Sequence, residues 1–246
     1  MGKARRTRQT REQERRRART RRMLIATGAA VVVVIALIAV QQLTSGGSSA
    51  PDPSKLAGVA DVQAEFDGLN ETAGTIGNAN AKVTITEYGD LRCPVCKAFD
   101  NDVIPTVVTN LVRTGKAKLS YRTWPILGPN SVYAARAAYA ARQQNALWPY
   151  AALTYLNQGD ENTSWFTKAI ARSLAAGVGL DIARFDKDMA SSAATKTIDQ
   201  VNAEATRLGF QGTPSIRITG PTGSSTVDAT YSAIQAGVQK ASGTAG

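Results

Sequence analysis

The stretch "YGDLRCPVCKAFD", residues 88–100, contains the only two cysteines of a 246-residue chain, and two residues separate them. Before it, the alternating segment "AKVTITEYGD" predicts a strand with Val83, Ile85 and Glu87 on one face. A helix is predicted to follow, with the cysteines in its first turn. The question is whether Cys93 and Cys96 form a structural disulfide, part of a metal site or a reactive redox pair.

The residue types of the chain exclude a metal site of the usual kind. Structural zinc takes four ligands from cysteine, histidine or carboxylate, and iron–sulfur clusters need several cysteines. The sequence contains no third cysteine and no histidine. We therefore predict no metal and no cofactor. A structural disulfide remains as the weaker alternative, because it would close a very small loop and add little stability.

The position at a helix start favours a redox pair. There Cys93 meets unpaired backbone N–H groups and the positive end of the helix dipole, which stabilise a thiolate. Its pKa is expected to fall from about 8.5 into the range of roughly 3.5 to 7.5. Cys96, one turn later, is expected to be more buried and to resolve a mixed disulfide formed at Cys93. Pro94 suits this place because a helix does not use the N–H of its first residue.

Hydrophobic periodicity predicts the order strand, helix, strand, several helices, two strands and a last helix. The first helix is predicted to run from the cysteines to about Gly115, and the second strand covers residues 117–126. Residues 131–208 are helical throughout, with Asp181 as an N-cap. This order predicts a mixed α/β domain.

Four segments carry a family resemblance: "GNANAKVTITEYGDLRCPVCKAF" (77–99), "ARAAYAARQQNALWPYAALTYL" (135–156), "GVGLDIARF" (177–185) and "LGFQGTPSIRITG" (208–220). They resemble the DsbA-like thiol:disulfide oxidoreductases of the thioredoxin superfamily, in the membrane-anchored form of Gram-positive bacteria and actinobacteria. The resemblance implies an α/β thioredoxin fold with a helical insertion at about residues 130–208, which agrees with the predicted order of elements.

The resemblance also implies further site residues. Thr213 and Pro214 would form a cis peptide bond facing the cysteines, and a substrate peptide would add along this loop as an extra strand. Glu87 matches the buried acid below the disulfide of this family, with Arg122 as its candidate partner. On the residues alone, the Thr-Pro pair also fits an ordinary turn. Strand parity places Glu87 on the face of the strand that is expected to be covered.

Two residues do not follow the family pattern of the strongly oxidising members. Those members carry histidine in the dipeptide between the cysteines, which is Pro94 and Val95 here. Val95 offers the thiolate neither a hydrogen bond nor a charge, so strong oxidising power is not expected. Threonine before the cis-proline, here Thr213, also occurs in isomerase-like and in Gram-positive-type relatives, so it does not decide the direction of electron flow.

The N-terminal segments predict a membrane anchor. Residues 1–22 contain eleven Lys or Arg against two Glu, which accounts for most of the net charge of +10. Residues 23–40 carry no charge and would span about 27 Å as a helix. We predict a basic cytoplasmic tail (1–22), a transmembrane anchor (23–43), a flexible linker (44–54) and an extracytoplasmic domain (55–246). A cleaved signal peptide and a nucleic-acid-binding tail are the weaker alternatives.

Together, the cysteine pair, the family resemblance and the N-terminal segments predict the function and location of the protein. The protein would be a single-pass enzyme of the cell membrane that introduces disulfide bonds into secreted or membrane proteins through Cys93 and Cys96. By resemblance, a quinone-linked membrane oxidase of the DsbB or VKOR kind would reoxidise it. We predict a monomer that binds no nucleic acid, since only residues 60–73 offer an obvious dimerisation segment. The alternatives are an isomerase or reductase kept reduced by a membrane donor, and a non-catalytic peptide-binding module.

Overall fold

The computed structural model describes residues 51–243. The predicted basic tail, the predicted anchor and most of the predicted linker lie outside these residues. Within residues 51–243, no helix combines the length and the apolar composition needed to cross a membrane. The first described residues are already part of the domain, because the Asp52 N–H donates to the Ser173 hydroxyl at 3.0 Å and Pro53–Lys55 forms a 3-10 turn.

A mixed sheet lies at the centre of the domain. Its six strands run in the order β1-β2-β4-β3-β5-β6. The strands are β1 (Glu71–Thr72), β2 (Thr75–Ile76), β3 (Thr84–Gly89), β4 (Lys118–Thr123), β5 (Ser215–Gly220) and β6 (Gly223–Val227). β3 is parallel to β4 and antiparallel to β5. The C-terminal end of β3 therefore lies beside the N-terminal end of β5, at one end of the strands of the sheet.

Helices cover both faces of the sheet and form the insertion. They are α1 (Val59–Phe66), α2 (Pro94–Asp102), α3 (Ile104–Val107), α4 (Pro129–Arg142), α5 (Leu147–Leu156), α6 (Lys168–Gly177), α7 (Ile182–Ala190), α8 (Ser192–Arg207) and α9 (Tyr231–Ser242). A π-helical turn, Val108–Val112, continues α3. The mixed α/β fold and its large helical content are thus as predicted, and Asp181 does cap α7 through the Arg184 N–H.

The parity of β3 decides what its side chains contact. Val83, Ile85 and Glu87 are all buried, on the face that the alternation predicts. Tyr88, on the opposite face, packs in a small cluster with Val201 of α8. A charged residue in the middle of the strand is therefore in the core, whereas its neighbour in sequence packs beneath α8.

The insertion is fixed to the sheet by aromatic side chains of α5. Trp148 packs edge-on against Tyr121 of β4, with ring centroids 5.5 Å apart, and its indole N–H donates to the Gly74 carbonyl at 3.1 Å. The Tyr121 and Tyr155 hydroxyls lie 2.6 Å apart and are buried. These contacts place the loop after α5 beside the start of α2.

The helix that carries the cysteines is predicted to be continuous to about Gly115, and the structure corrects this in part. α2 ends at Asp102, and helical backbone resumes in α3 and its π-helical turn as far as Val112, with Pro105 in the first turn of α3. Proline has no N–H to donate to the preceding turn, so a continuous helix breaks there. The sequence analysis also misses α1 and the β1–β2 hairpin, whose strands of two residues are too short to show periodicity.

Candidate active site

The two cysteines lie at the start of α2, directly after β3. Cys93 is the N-cap residue with an extended backbone, and Pro94 takes the first helical position. The Cys93 N–H donates to the Asp90 carbonyl at 2.9 Å, and its carbonyl accepts from the Lys97 N–H at 3.1 Å. Both cysteines are free thiols. The turn after the strand therefore places the Cys93 sulfur among the unpaired N–H groups of the first helical turn.

Burial distinguishes the two sulfurs. Cys93 is 7% exposed, and Cys96, one turn into the helix, is fully buried. Val95 between them projects outward and is 62% exposed. A partner molecule can therefore approach the edge of Cys93, while Cys96 is reached only from within the protein.

The Thr213–Pro214 loop closes the site from the other side. Its peptide bond is cis, and β5 begins at the next residue. Because Tyr88 pairs with Ser215, this loop lies beside the end of β3. The Cys93 thiol contacts the Thr213 carbonyl, with sulfur and oxygen 3.6 Å apart. The structure thus brings together the cysteine and the loop that the sequence resemblance pairs with it.

The surroundings shift the pKa values of the two thiols in opposite directions. Hydrogen bonding from Cys96 lowers the pKa of Cys93 to about 6 against the opposing effect of burial, and the Thr213 side chain and N–H groups of the first helical turn lower it further. Burial raises the pKa of Cys96 well above its usual range, and its hydrogen bond to Cys93 adds to the rise. At neutral pH the pair therefore carries one thiolate, on the more accessible sulfur.

Glu87 lies in the core with neither carboxyl oxygen hydrogen-bonded. Burial raises its pKa well above the usual range, and the nearby Asp100 carboxyl raises it further. The prediction that Arg122 partners Glu87 is wrong. The register of β3 and β4 pairs Glu87 with Tyr121 and pairs Tyr88 with Arg122, so Arg122 points to the opposite face.

Asp90 organises the loop before the cysteines, and the sequence analysis misses it. The residue is buried, and its carboxylate accepts the N–H groups of Ile126 and Leu127 at 2.8 and 3.1 Å. It also accepts the Arg92 N–H and the Ser131 hydroxyl, both at 2.9 Å. Three of these four hydrogen bonds join the end of β3 to the start of the insertion, and the one from the Arg92 N–H holds the turn itself.

Arg92 extends this connection to a second loop. Its side chain is 4% exposed, and the guanidinium donates to the carbonyls of Leu127, Glu161 and Thr163. A charge buried next to the reactive cysteine is thereby held by three backbone oxygens. Two charged residues immediately before a buried cysteine pair, Asp90 and Arg92, are the sequence signal for this arrangement.

Gln158 holds the same turn from the loop after α5. Its side-chain amide donates to the carbonyls of Leu91 and Cys93 at 3.0 and 3.2 Å. Nothing in the local sequence marks Gln158, because its partners are 65 and 67 residues away. The insertion thus contacts the backbone of the reactive cysteine directly.

We expect Asp90→Ala to lower the free energy of unfolding by about 3 kcal/mol, because it leaves buried donors without an acceptor. Urea unfolding of the reduced protein measures this change. Asp199→Ala, at an exposed position of α8, is the control and should change stability by about 0.5 kcal/mol or less. Equal effects of the two substitutions would contradict the role assigned to Asp90.

The ultraviolet absorbance of the thiolate should rise with a midpoint near pH 6 in the wild type. Cys93→Ser should show no absorbance step near pH 6, because burial keeps the remaining thiol, Cys96, protonated. Because folding lowers the pKa of Cys93, its thiolate stabilises the reduced protein fully above the unfolded pKa of about 9. This contribution declines as pH falls from 9 and is lost below about 6. A wild-type midpoint near pH 9 would contradict the geometry.

Comparisons with known proteins agree with this site. The thioredoxin family model matches residues 69–236. A probable disulfide bond formation protein D from Bacillus cereus is 27% identical over 173 residues, covering 69% of this chain and 80% of the relative.

Two solved structures share the fold. The oxidised BdbD of Bacillus subtilis superimposes with a TM-score of 0.62 at 21% identity, covering 70% of this chain and 95% of that chain. A thioredoxin-like oxidoreductase from Silicibacter pomeroyi has a TM-score of 0.56 at 33% identity, covering 68% and 90%. The chain therefore belongs to the thioredoxin family, in the branch of DsbA-like thiol:disulfide oxidoreductases that its sequence resembles.

Proposed function

We propose that this thiol:disulfide oxidoreductase donates the disulfide of Cys93 and Cys96 to secreted or membrane proteins. The observation that carries the proposal is the division between the two sulfurs. Cys93 is accessible at its edge with a pKa of about 6, and Cys96 is fully buried with a raised pKa. A sulfur that is stable as a thiolate leaves readily from a disulfide, so this pair is suited to giving its disulfide away.

The reaction takes two exchanges. A substrate thiolate attacks the Cys93 sulfur of the oxidised enzyme, the bond between the two cysteines breaks, and Cys96 leaves and takes up a proton. A second substrate thiolate then attacks the substrate sulfur of the mixed disulfide. The Cys93 sulfur leaves as a thiolate, and the substrate keeps the new disulfide. Two electrons thus pass from substrate to enzyme. Of the two substrate thiol protons, one ends on Cys96 and the other goes to water, because Cys93 remains a thiolate at neutral pH.

The surface around Cys93 suits an extended, partly apolar peptide. Among the described residues, several large apolar side chains are exposed to solvent, including Val95, Ile126, Leu127 and Val132. Ile126 and Leu127 are held beside the site by their hydrogen bonds to Asp90. An extended peptide that adds along the Thr213 loop would find backbone partners there and apolar contacts around it. Unfolded substrates expose both.

The site also needs an oxidant to restore its disulfide. We propose that the domain stands outside the cytoplasm on an N-terminal membrane helix, where disulfides persist. A quinone-linked membrane oxidase of the DsbB or VKOR kind would accept the two electrons from the reduced cysteines. The basic residues 1–22 and the uncharged residues 23–40 support this arrangement.

Cys96→Ala should accumulate mixed disulfides with cellular proteins, because Cys93 can still attack but no second enzyme thiol releases the adduct. Cys93→Ala should trap far less, since Cys96 is buried. Non-reducing gels of cells that produce each full-length variant measure the adducts. Equal trapping by the two variants would overturn the assigned roles, and no trapping by either would favour a non-catalytic binding module.

Protease added to intact protoplasts should remove the domain of the full-length protein, because the basic tail keeps the N-terminus inside. An immunoblot against the domain gives the result. A cytoplasmic protein serves as the control and should resist until the cells are lysed. A domain that is equally protected until lysis would show that the proposed orientation is incorrect.

A further inference from the structure

Asp100 is a second buried acid near the reactive pair. It lies on α2 one turn after Cys96, on the same side of the helix. The residue is 4% exposed, and its Oδ2 atom makes no hydrogen bond. Glu87 on β3 also lacks hydrogen bonds at both oxygens. An isolated buried carboxyl is costly, so two near one thiol are unexpected unless they have a function.

The position of Asp100 differs from that of Glu87 in its access to water. A cleft of about 270 Å³ lies between α1, α2 and α5, and Asp100 is part of its wall. Asp61 and Glu65 of α1 and Leu156 of α5 also line this cleft. Asp100 is seven residues after Cys93, or about 10 Å along the helix axis. The cleft therefore reaches the interior at a place well removed from the exposed edge of Cys93.

We propose that Asp100 connects Glu87 to the water of this cleft, so that the proton of Cys96 leaves the core away from the substrate side. Cys96 is fully buried, and a bound substrate would cover the accessible edge of Cys93. A proton that must leave while the adduct is in place needs another route. Asp100 is thus a positioning residue for proton transfer, and the inference rests on the proposed exchange chemistry.

The step that uses this route is the attack of Cys96 on a mixed disulfide at Cys93. The Cys96 thiol gives its proton to Glu87, and its sulfur bonds to the Cys93 sulfur. The bond between Cys93 and its partner breaks, and the partner leaves as a thiolate that takes a proton from water. Glu87 passes its proton to Asp100, which releases it into the cleft. The same groups return a proton when Cys96 leaves in the opposite direction.

The electrostatics of the groups around Asp100 support proton sharing. Burial and then the charge of Glu65 raise the pKa of Asp100 well above its usual range. Burial and then Asp100 raise the pKa of Glu87. Two neighbouring buried carboxyls do not ionise together easily, so the pair holds a proton at higher pH than exposed acids do.

Other titratable groups also face this region. Tyr121 of β4 and Tyr155 of α5 interact electrostatically with Asp100, and burial raises the pKa of both hydroxyls well above their usual range. They remain neutral throughout the range in which the carboxyls titrate. At the rim of the cleft, the Arg113 guanidinium donates to the Glu65 carbonyl and moderates the burial-raised pKa of that residue. The carboxyls and Cys96 are therefore the groups that exchange protons here.

The test separates the two steps of oxidation by glutathione disulfide. Rapid acid quenching and mass spectrometry of the full-length protein follow the glutathione adduct at Cys93, whose decay reports the attack by Cys96. We expect Asp100→Asn to form the adduct at the wild-type rate and to resolve it about tenfold more slowly at neutral pH. The pH dependence of resolution should change as well. Asp102→Asn, exposed on the same helix, should match the wild type in both steps.

Two further variants keep the outcome decisive if Asp100→Asn folds poorly. Asp100→Glu retains a carboxyl and should recover most of the resolution rate, while Glu65→Gln should shift its pH dependence. If Asp100→Asn resolves the adduct at the wild-type rate, or faster than the wild type at low pH, the proposed relay is wrong. Asp100 would then act only as a charge that raises the pKa of Glu87. A wild type that forms no adduct would instead refute the proposed exchange activity.

Discussion

The position of the two cysteines depends on the hydrogen bonds that the buried Asp90 carboxylate accepts. Three of its four hydrogen bonds, from the N–H groups of Ile126 and Leu127 and from the Ser131 hydroxyl, fix the turn between β3 and α2 to the loop after β4 and the start of α4. The fourth, from the Arg92 N–H, lies within the turn itself. The backbone of that turn then receives the amide of Gln158 at Leu91 and Cys93. Without these contacts, the first turn of α2 would be free to move relative to the Thr213 loop, and the 3.6 Å contact between the Cys93 sulfur and the Thr213 carbonyl would be lost.

The same geometry separates the two sulfurs by environment. Capping residues at a helix start lie at its surface, so Cys93 keeps an exposed edge, whereas a residue one turn later on the core side does not. Hydrogen bonding therefore dominates at Cys93 and lowers its pKa, while burial dominates at Cys96 and raises it. Because Cys96 is buried, only groups within the core can exchange a proton with it while a substrate covers the site. Glu87 and Asp100 are buried carboxyls that meet this requirement.

Local patterns in the sequence predict the elements that carry the chemistry. Alternation predicts β3 and the covered position of Glu87, and the spacing of the cysteines predicts their place at a helix start. Pairing between strands is not a local property of the sequence, and for this reason the predicted partnership of Arg122 with Glu87 is wrong. In the register of β3 and β4, Tyr121 lies beside Glu87, so the side chain of Arg122 lies on the opposite face of the sheet.

The residues that the sequence analysis misses act over long separations in the chain. Asp90 binds donors 36 to 41 residues later, and Gln158 binds acceptors more than 60 residues earlier. Such contacts depend on how the insertion packs against the sheet. Asp100 is similar, since a helical aspartate is ordinarily exposed. Only the packing of α1 and α5 over α2 shows that this one is covered.

Folding stabilises the Cys93 thiolate, which exists only in the reduced form. The most direct test therefore compares the stability of the reduced and oxidised full-length protein at two pH values. Urea unfolding at about pH 7.5 and about pH 5 should show that the stability of the reduced form, relative to the oxidised form, is greater at the higher pH. The difference should shrink as Cys93 is protonated below its pKa of about 6. A difference that does not change with pH would contradict the account.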